Sequence, residues 1–285
     1  MRWSWRKVEE TFFRCLMMAA VVLVMLILLW ILLTILVRGV PALDWEMVSR
    51  TPRGGFYLGK SGGILNAILG SLFLTLGATL AAFVAGLPVA LYLNCFRGDS
   101  SRTAAFIRTV LDVLWGIPSI VYGAFGFVLM IWLGLRASLL GGMLAVALLI
   151  LPIMVRGMDE VIRLVPRELY DSAYSLGATR TETAFRVVIR QTAPGILSAV
   201  LIALGRGMGD AASVLFTAGY TDALPGSLLE PVATLPLAIF FQLGTPFPEV
   251  QERAYASALL LTILILLISG VARWLIRRYA RQVVR

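Results

Sequence analysis

The chain contains no histidine, so the side chain that most often serves as general base and metal ligand near neutral pH is absent altogether. Only two cysteines are present, Cys15 and Cys95. Both fall at the predicted cytoplasmic ends of apolar blocks, where a reducing compartment and their separation exclude a disulfide, and two distant thiols make no metal site. Charge is scarce as well. Asp, Glu, Lys and Arg make up 14% of the 285 residues, against about 25% in a soluble domain. These shortages exclude a soluble enzyme that works by histidine or metal chemistry.

Apolar residues take the place of what is missing: 59% of the chain is hydrophobic and the mean hydropathy is +0.88. They come in blocks long enough to cross a hydrocarbon core of about 30 Å. Hydropathy, with the Gly, Pro and charge clusters between blocks, predicts six helical spans at about 14–37, 65–93, 109–133, 137–155, 195–218 and 254–276. The chain therefore reads as an all-α polytopic membrane protein, with a short segment 1–13 ahead of a six-span domain over 14–285. The first block follows Arg2, Arg6, Lys7 and Arg14 as a signal peptide would. Its apolar stretch is too long for such a leader and no small-residue cleavage site follows, so it is expected to stay as a span.

Six spans put both termini on one side. Eighteen of the 25 Lys and Arg residues fall on that side, six on the other, and Arg206 lies within a span. The positive-inside rule makes the termini cytoplasmic. The net charge of +9 is then accounted for by topology and anionic lipid, and nucleic acid is not expected as a partner. Gly54, Gly59, Lys60 and Ser61 spell a complete G-x-x-x-x-G-K-S pattern. A phosphate-binding loop needs a strand before it and a helix after it in a soluble α/β core. This stretch instead lies in an outer loop away from cellular ATP, and ATP binding there is not expected.

The inner connection, about 157–194, contains Val165-Pro166-Arg167-Glu168-Leu169-Tyr170-Asp171-Ser172-Ala173-Tyr174-Ser175-Leu176-Gly177-Ala178-Thr179-Arg180. It reads as short helix, glycine turn, short helix, with Leu169, Leu176, Ala184 and Phe185 among charged and small residues. An amphipathic helix resting on lipid headgroups would show the same pattern. The run also resembles the cytoplasmic EAA loop of ABC importer permeases, with Val187-Val188-Ile189 as its hydrophobic tail. It departs from that loop at Asp171, Ser172 and Arg190, which stand where the family has glutamate, alanine and proline. The resemblance implies the type I (MetI-like) permease fold and a coupling helix, with Asp171, Ala173, Gly177 and Ala178 as the contacts to a separate ATPase subunit.

The fifth predicted span carries Leu204-Gly205-Arg206-Gly207-Met208-Gly209-Asp210. Arg206 stands about 11 residues into that span, roughly 16 Å deep at 1.5 Å per residue. Against lipid it would cost from about 3 to over 10 kcal/mol, so it should face protein or a watery path. Asp210, four residues on, shares its helical face. Two readings remain open: an ion pair that locks helices together beside the small Gly205 and Gly209, or a guanidinium offered to an oxyanion in transit, with Asp210 as its resting partner. The segment is similar to the R-A-I-G-E-T-A sequence of the PstA and PstC phosphate permeases, with Gly207 for Ala and Asp210 for Glu. Gly116-Ile117-Pro118-Ser119-Ile120-Val121-Tyr122-Gly123 is similar to their third-span turn, and Thr217-Ala218-Gly219 and Thr234 to Ile239 look more like PstA.

That resemblance implies phosphate as substrate, a second PstC-like permease chain, two PstB-like ATPase subunits and an extracytoplasmic PstS-like binding protein, all at a bacterial cytoplasmic membrane. It also implies no catalytic activity and no cofactor on this chain. Arg156 matches a permease arginine and is either a second anion contact or a headgroup anchor at the inner end of the fourth span. Arg108 and Asp112 are expected to pair structurally. Pro118 and Pro152 are expected to kink spans. The competing readings are a permease for another oxyanion such as molybdate or sulfate, the partner permease, a membrane ATPase using Lys60, and a membrane sensor.

Overall fold

The computed structural model describes residues 2–53, 62–97 and 101–279; the Gly54 to Ser61 motif lies outside them. The described chain is helical. Five helices are long and apolar enough to cross a membrane, and a bent pair makes a sixth span. In order, α1 is Arg2–Ala42, α2 Trp45–Ser49, α3 Leu65–Leu91, α4 Arg102–Gly116, α5 Ser119–Trp132 and α6 Leu139–Arg163. Then come α7 at Arg167–Ser175, α8 at Arg180–Glu182, α9 at Ile189–Met208, α10 at Leu235–Leu243 and α11 at Pro248–Tyr279.

α6 is the axis of the body. It packs on α3, α4, α5 and α9, and Val146, Ile150, Met154 and Met158 recur along it at helical spacing and are fully buried. Small residues on α3, among them Ala78 and Ala82, let the two backbones approach, as expected where lipid supplies no hydrophobic drive between helices. α1 stands apart. It packs on α11, and no part of its apolar window is buried within the chain. α1 begins at Arg2 and runs without a break through residues 2–13 into the first span.

Three spans differ from their predicted form. The third breaks between α4 and α5 with a 99° bend. Pro118 cannot donate to a carbonyl one turn back, and Ile117 before it is extended, with φ −70° and ψ 131°. The fourth does not stop at 155 but continues to Arg163, which puts Arg156 about two turns inside the helix rather than at its end. The fifth stops at Met208 instead of running to 218. Gly205, Gly207 and Gly209 weaken the helix there, and the Asp210 side chain then accepts the backbone N–H of Ser213 at 2.8 Å, which favours a turn over continued helix.

Residues 212–218 form turns, and Thr217 and Ala218 tie back to Ser138 and Val232 through backbone hydrogen bonds of 2.9 Å each. The outer connection 219–253 is more than loop. It holds α10, whose Leu235, Leu237, Ala238 and Gln242 are buried between α11 and α3. Leu235 N–H donates to the Ser71 hydroxyl of α3 at 2.8 Å. A Cβ at Gly70 would overlap the carbonyl oxygen of Ala233 on the approach to α10. Gly70→Ala should therefore destabilise the fold by about 1–3 kcal/mol through overpacking, visible as a lower melting temperature of the purified protein.

Candidate functional site

Three groups of candidate residues are spread along the length of the bundle. The first is the connection between α6 and α9. It has the expected helix, glycine turn and helix, with Gly177 at φ +82° in the left-handed region. Thr179 caps α8 in a reciprocal capping box with Glu182, and a π-helical stretch, Thr183–Val188, leads on into α9. Its apolar residues divide. Ala173 and Ala184 are buried and Leu169 packs on the core. Leu176, 88% exposed, and Phe185, 59% exposed, point away from the chain together with exposed Asp171. A cavity of about 290 Å³ behind α7, walled by Asn94, Cys95, Ile162 and Tyr170 among others, leaves that helix incompletely packed against the spans.

Nothing lies within 4 Å of a Cβ placed at Gly177, so alanine there meets only the backbone penalty of about 1–2 kcal/mol. Gly177→Ala should raise amide exchange of residues 167–176 by about tenfold without altering the spans, which hydrogen exchange would read directly.

The second group is a charge cluster one to two turns deeper. Asp159, fully buried, accepts from Arg108 Nε and Nη2 at 2.9 Å each, from Asn94 Nδ2 at 2.8 Å and from Arg156 Nη1 at 3.2 Å. Arg156 Nε lies 2.7 Å from Asp112 Oδ1, and its Nη2 lies 3.9 Å from Glu160. The 2.7 Å contact has ion-pair distance without hydrogen-bond geometry, since Nε has no hydrogen-bond acceptor. The expected pairing of Arg108 with Asp112 is thus recast: Arg108 grips Asp159 with two donors, and Asp112 faces Arg156. Arg156 is a cross-tie held among carboxylates rather than a headgroup anchor. Sequence reasoning missed Asp159 as its hub.

The third group is at the end of α9. Arg206 is in the last turn, its side chain 53% exposed, with Nη2 3.9 Å from Oδ1 of Asp210, whose side chain is 5% exposed. A pair this long and open leaves most of the guanidinium available. The neighbouring Gly207 lies against α6, where a Cβ would stand 2.9 Å from Val146 and 3.3 Å from Ile150. Those residues are roughly 11 and 17 Å from the Leu139 end of α6 at 1.5 Å per residue, so Arg206 sits level with the middle of that helix. α9 ends two residues beyond Arg206 instead of continuing past Asp210.

Arg156 and Arg206 belong to different groups, one sequestered and one open. Together these features define a bundle with an open cationic group level with the middle of α6 and an exposed helical loop at one end, a layout that suits a transport subunit. Residues 82–283 match the family described as binding-protein-dependent transport system inner membrane component, and the chain belongs to that family.

Within it, the chain is of the PstA type. It is 33% identical over 274 residues to the phosphate transport system permease protein PstA of Haemophilus influenzae, covering 96% of this chain and 95% of that one. It is 36% identical to PstA of Mycobacterium leprae over 84% of this chain and 79% of the other. Its fold matches a chain of the MetNI methionine ABC transporter in an inward-facing form, with a TM-score of 0.61 at 20% identity over 75% of this chain and 95% of that one. An amino acid ABC transporter matches with a TM-score of 0.56 at 18% identity, over 75% of this chain and 92% of the other. The protein is a multi-pass membrane transport component.

Proposed function

We propose that the chain carries inorganic phosphate inward across a bacterial cytoplasmic membrane as one of two permease subunits of an ATP-driven importer. The observation that carries this reading is Arg206, half-exposed in the last turn of α9 at mid-depth, with buried Asp210 on its flank. A guanidinium offers paired donors to a phosphate oxyanion. Asp210 keeps that site from becoming a trap, because conduction requires release as well as binding.

Arg206 and Asp210 form the substrate path in this proposal. Arg156, already held by Asp112 and Asp159, contributes to the anion only if it exchanges those partners. Asp171, Gly177 and Ala178 form the coupling surface, while Ala173 is turned into the chain and backs it rather than meeting a partner; exposed Leu176 supports this reading, since an apolar side chain this open beside a polar helix favours a partner subunit. ATP is hydrolysed on two separate subunits, a second permease chain completes the path, a phosphate-binding protein docks outside, and no cofactor resides on this chain. Residues 1–13 and the other terminus are cytoplasmic.

Copurification should recover an ATPase and a second permease with this chain. The reconstituted complex should take up labelled phosphate in an ATP-dependent manner, resistant to excess sulfate and molybdate. Uptake abolished by either competitor would reassign the anion, and ATP hydrolysis by the chain alone would overturn the division of labour.

A further inference from the structure

We propose that the α4–α5 elbow is a positioning device for the anion site, with Gly123 as its contact and Tyr122 as its strut; this rests on the reading of Arg206 and Asp210 given above. The elbow is held by a bond across its break. Tyr122 of α5, 8% exposed, donates its hydroxyl to the carbonyl of Leu114 in the last turn of α4 at 2.8 Å. That fixes the direction in which α5 leaves the bend.

The next residue, Gly123, lies on the turn that follows Asp210. A Cβ there would stand 2.8 Å from the carbonyl oxygens of both Ala212 and Ser213 and 3.0 Å from the Ser213 Cα. All three are backbone atoms, which cannot rotate out of the way. Ser213 is completely buried and is bound on two sides: its N–H donates to Asp210 Oδ2 at 2.8 Å, and its carbonyl accepts from the Thr217 hydroxyl at 2.9 Å. A shift of Ser213 therefore moves the Asp210 carboxylate, which is paired with Arg206.

The other glycines of this region behave differently. A Cβ at Gly126 would meet the side-chain carbons of Ala145 and Thr217 at 3.2 Å, and one at Gly116 would meet nothing within 4 Å. The three positions separate backbone displacement from a mere change of residue type in the elbow.

The test uses the whole reconstituted importer, measuring phosphate moved per ATP hydrolysed. A misplacement of about 1 Å costs up to about 100-fold where geometry governs the step, so Gly123→Ala should lower that ratio by about tenfold or more. Gly116→Ala should leave it unchanged. Tyr122→Phe, which removes one hydroxyl and adds no clash, should lower it severalfold and keeps the test available if Gly123→Ala fails to assemble. A purely structural lesion would reduce transport and ATP hydrolysis together and leave the ratio intact, which would overturn the inference. An unchanged ratio in both Gly123→Ala and Tyr122→Phe would do the same. If Arg206→Gln transports normally, the underlying reading fails; if Arg206→Gln is inactive while the elbow variants keep their ratio, only the positioning role fails.

Discussion

Replacing Arg206 by glutamine should abolish phosphate uptake while leaving the complex assembled. The side chain is 53% exposed and its one close carboxylate is 3.9 Å away, so removal breaks little that holds the fold together. What it removes is the cation met at mid-depth. Each charge-assisted hydrogen bond to an anion is worth about 1.5–3 kcal/mol, and two of them lost from the barrier correspond to roughly 100-fold or more in rate. Asp210 is also left in place without its partner, which adds repulsion to the loss. Arg206→Lys should retain a small fraction of uptake, because an ammonium keeps the charge but not the fork. Initial rates in proteoliposomes containing all subunits decide the matter: wild-type uptake by the glutamine variant would exclude Arg206 from the path.

The largest effect on stability is expected at Asp159. It has no exposed surface and accepts four hydrogen bonds from Arg108, Asn94 and Arg156, which join α4, α6 and the π-helical stretch Tyr92–Arg97 that follows α3. Asp159→Ala leaves two guanidinium groups facing an emptied pocket, and breaking a buried pair from one side costs about 3–5 kcal/mol. The melting temperature of the detergent-solubilised protein should fall by roughly five to ten degrees. Arg108→Gln added to Asp159→Ala should recover part of the loss, because one of the cations that faced the missing carboxylate is then removed with it. A melting point of Asp159→Ala within two or so degrees of the parent would show that the cluster contributes little.

The membrane character, the number of spans and the shape of the loop between α6 and α9 were legible because each depends on a local pattern: apolar length, charge placement, a glycine between two short helices. Pro118 signalled a bend, but hydropathy averages across two residues of extended chain, so one continuous span was expected where α4 and α5 meet at 99°. The end of α9 was hidden for a related reason. The sequence stays apolar to Ala218, and hydropathy does not register that Asp210 bonds its own backbone.

Asp159 was missed because the fourth span was ended at the first charge, Arg156. A signal was present. Val155, Met158 and Ile162 continue the buried face of α6 beyond that arginine, and Asp159 falls on the same face at helical spacing. An acid on an apolar stripe requires cationic partners from other helices, and Arg108 was available. Arg206 and Asp210 were singled out from the sequence, and the structure adds that they sit at a helix end rather than along one.

The pairing of α1 with α11 bears on how the chain is made. A Cβ at Gly39 would stand 2.8 Å from the carbonyl oxygen of Tyr255, and Arg38 Nη1 donates to the Tyr255 hydroxyl at 3.3 Å, so α1 is completed by the helix made latest among those described. Synthesis proceeds at about 5–20 residues per second, which keeps α1 in the bilayer for roughly ten seconds or more without α11 against it. During that interval the insertion machinery, not the finished fold, must hold it in place.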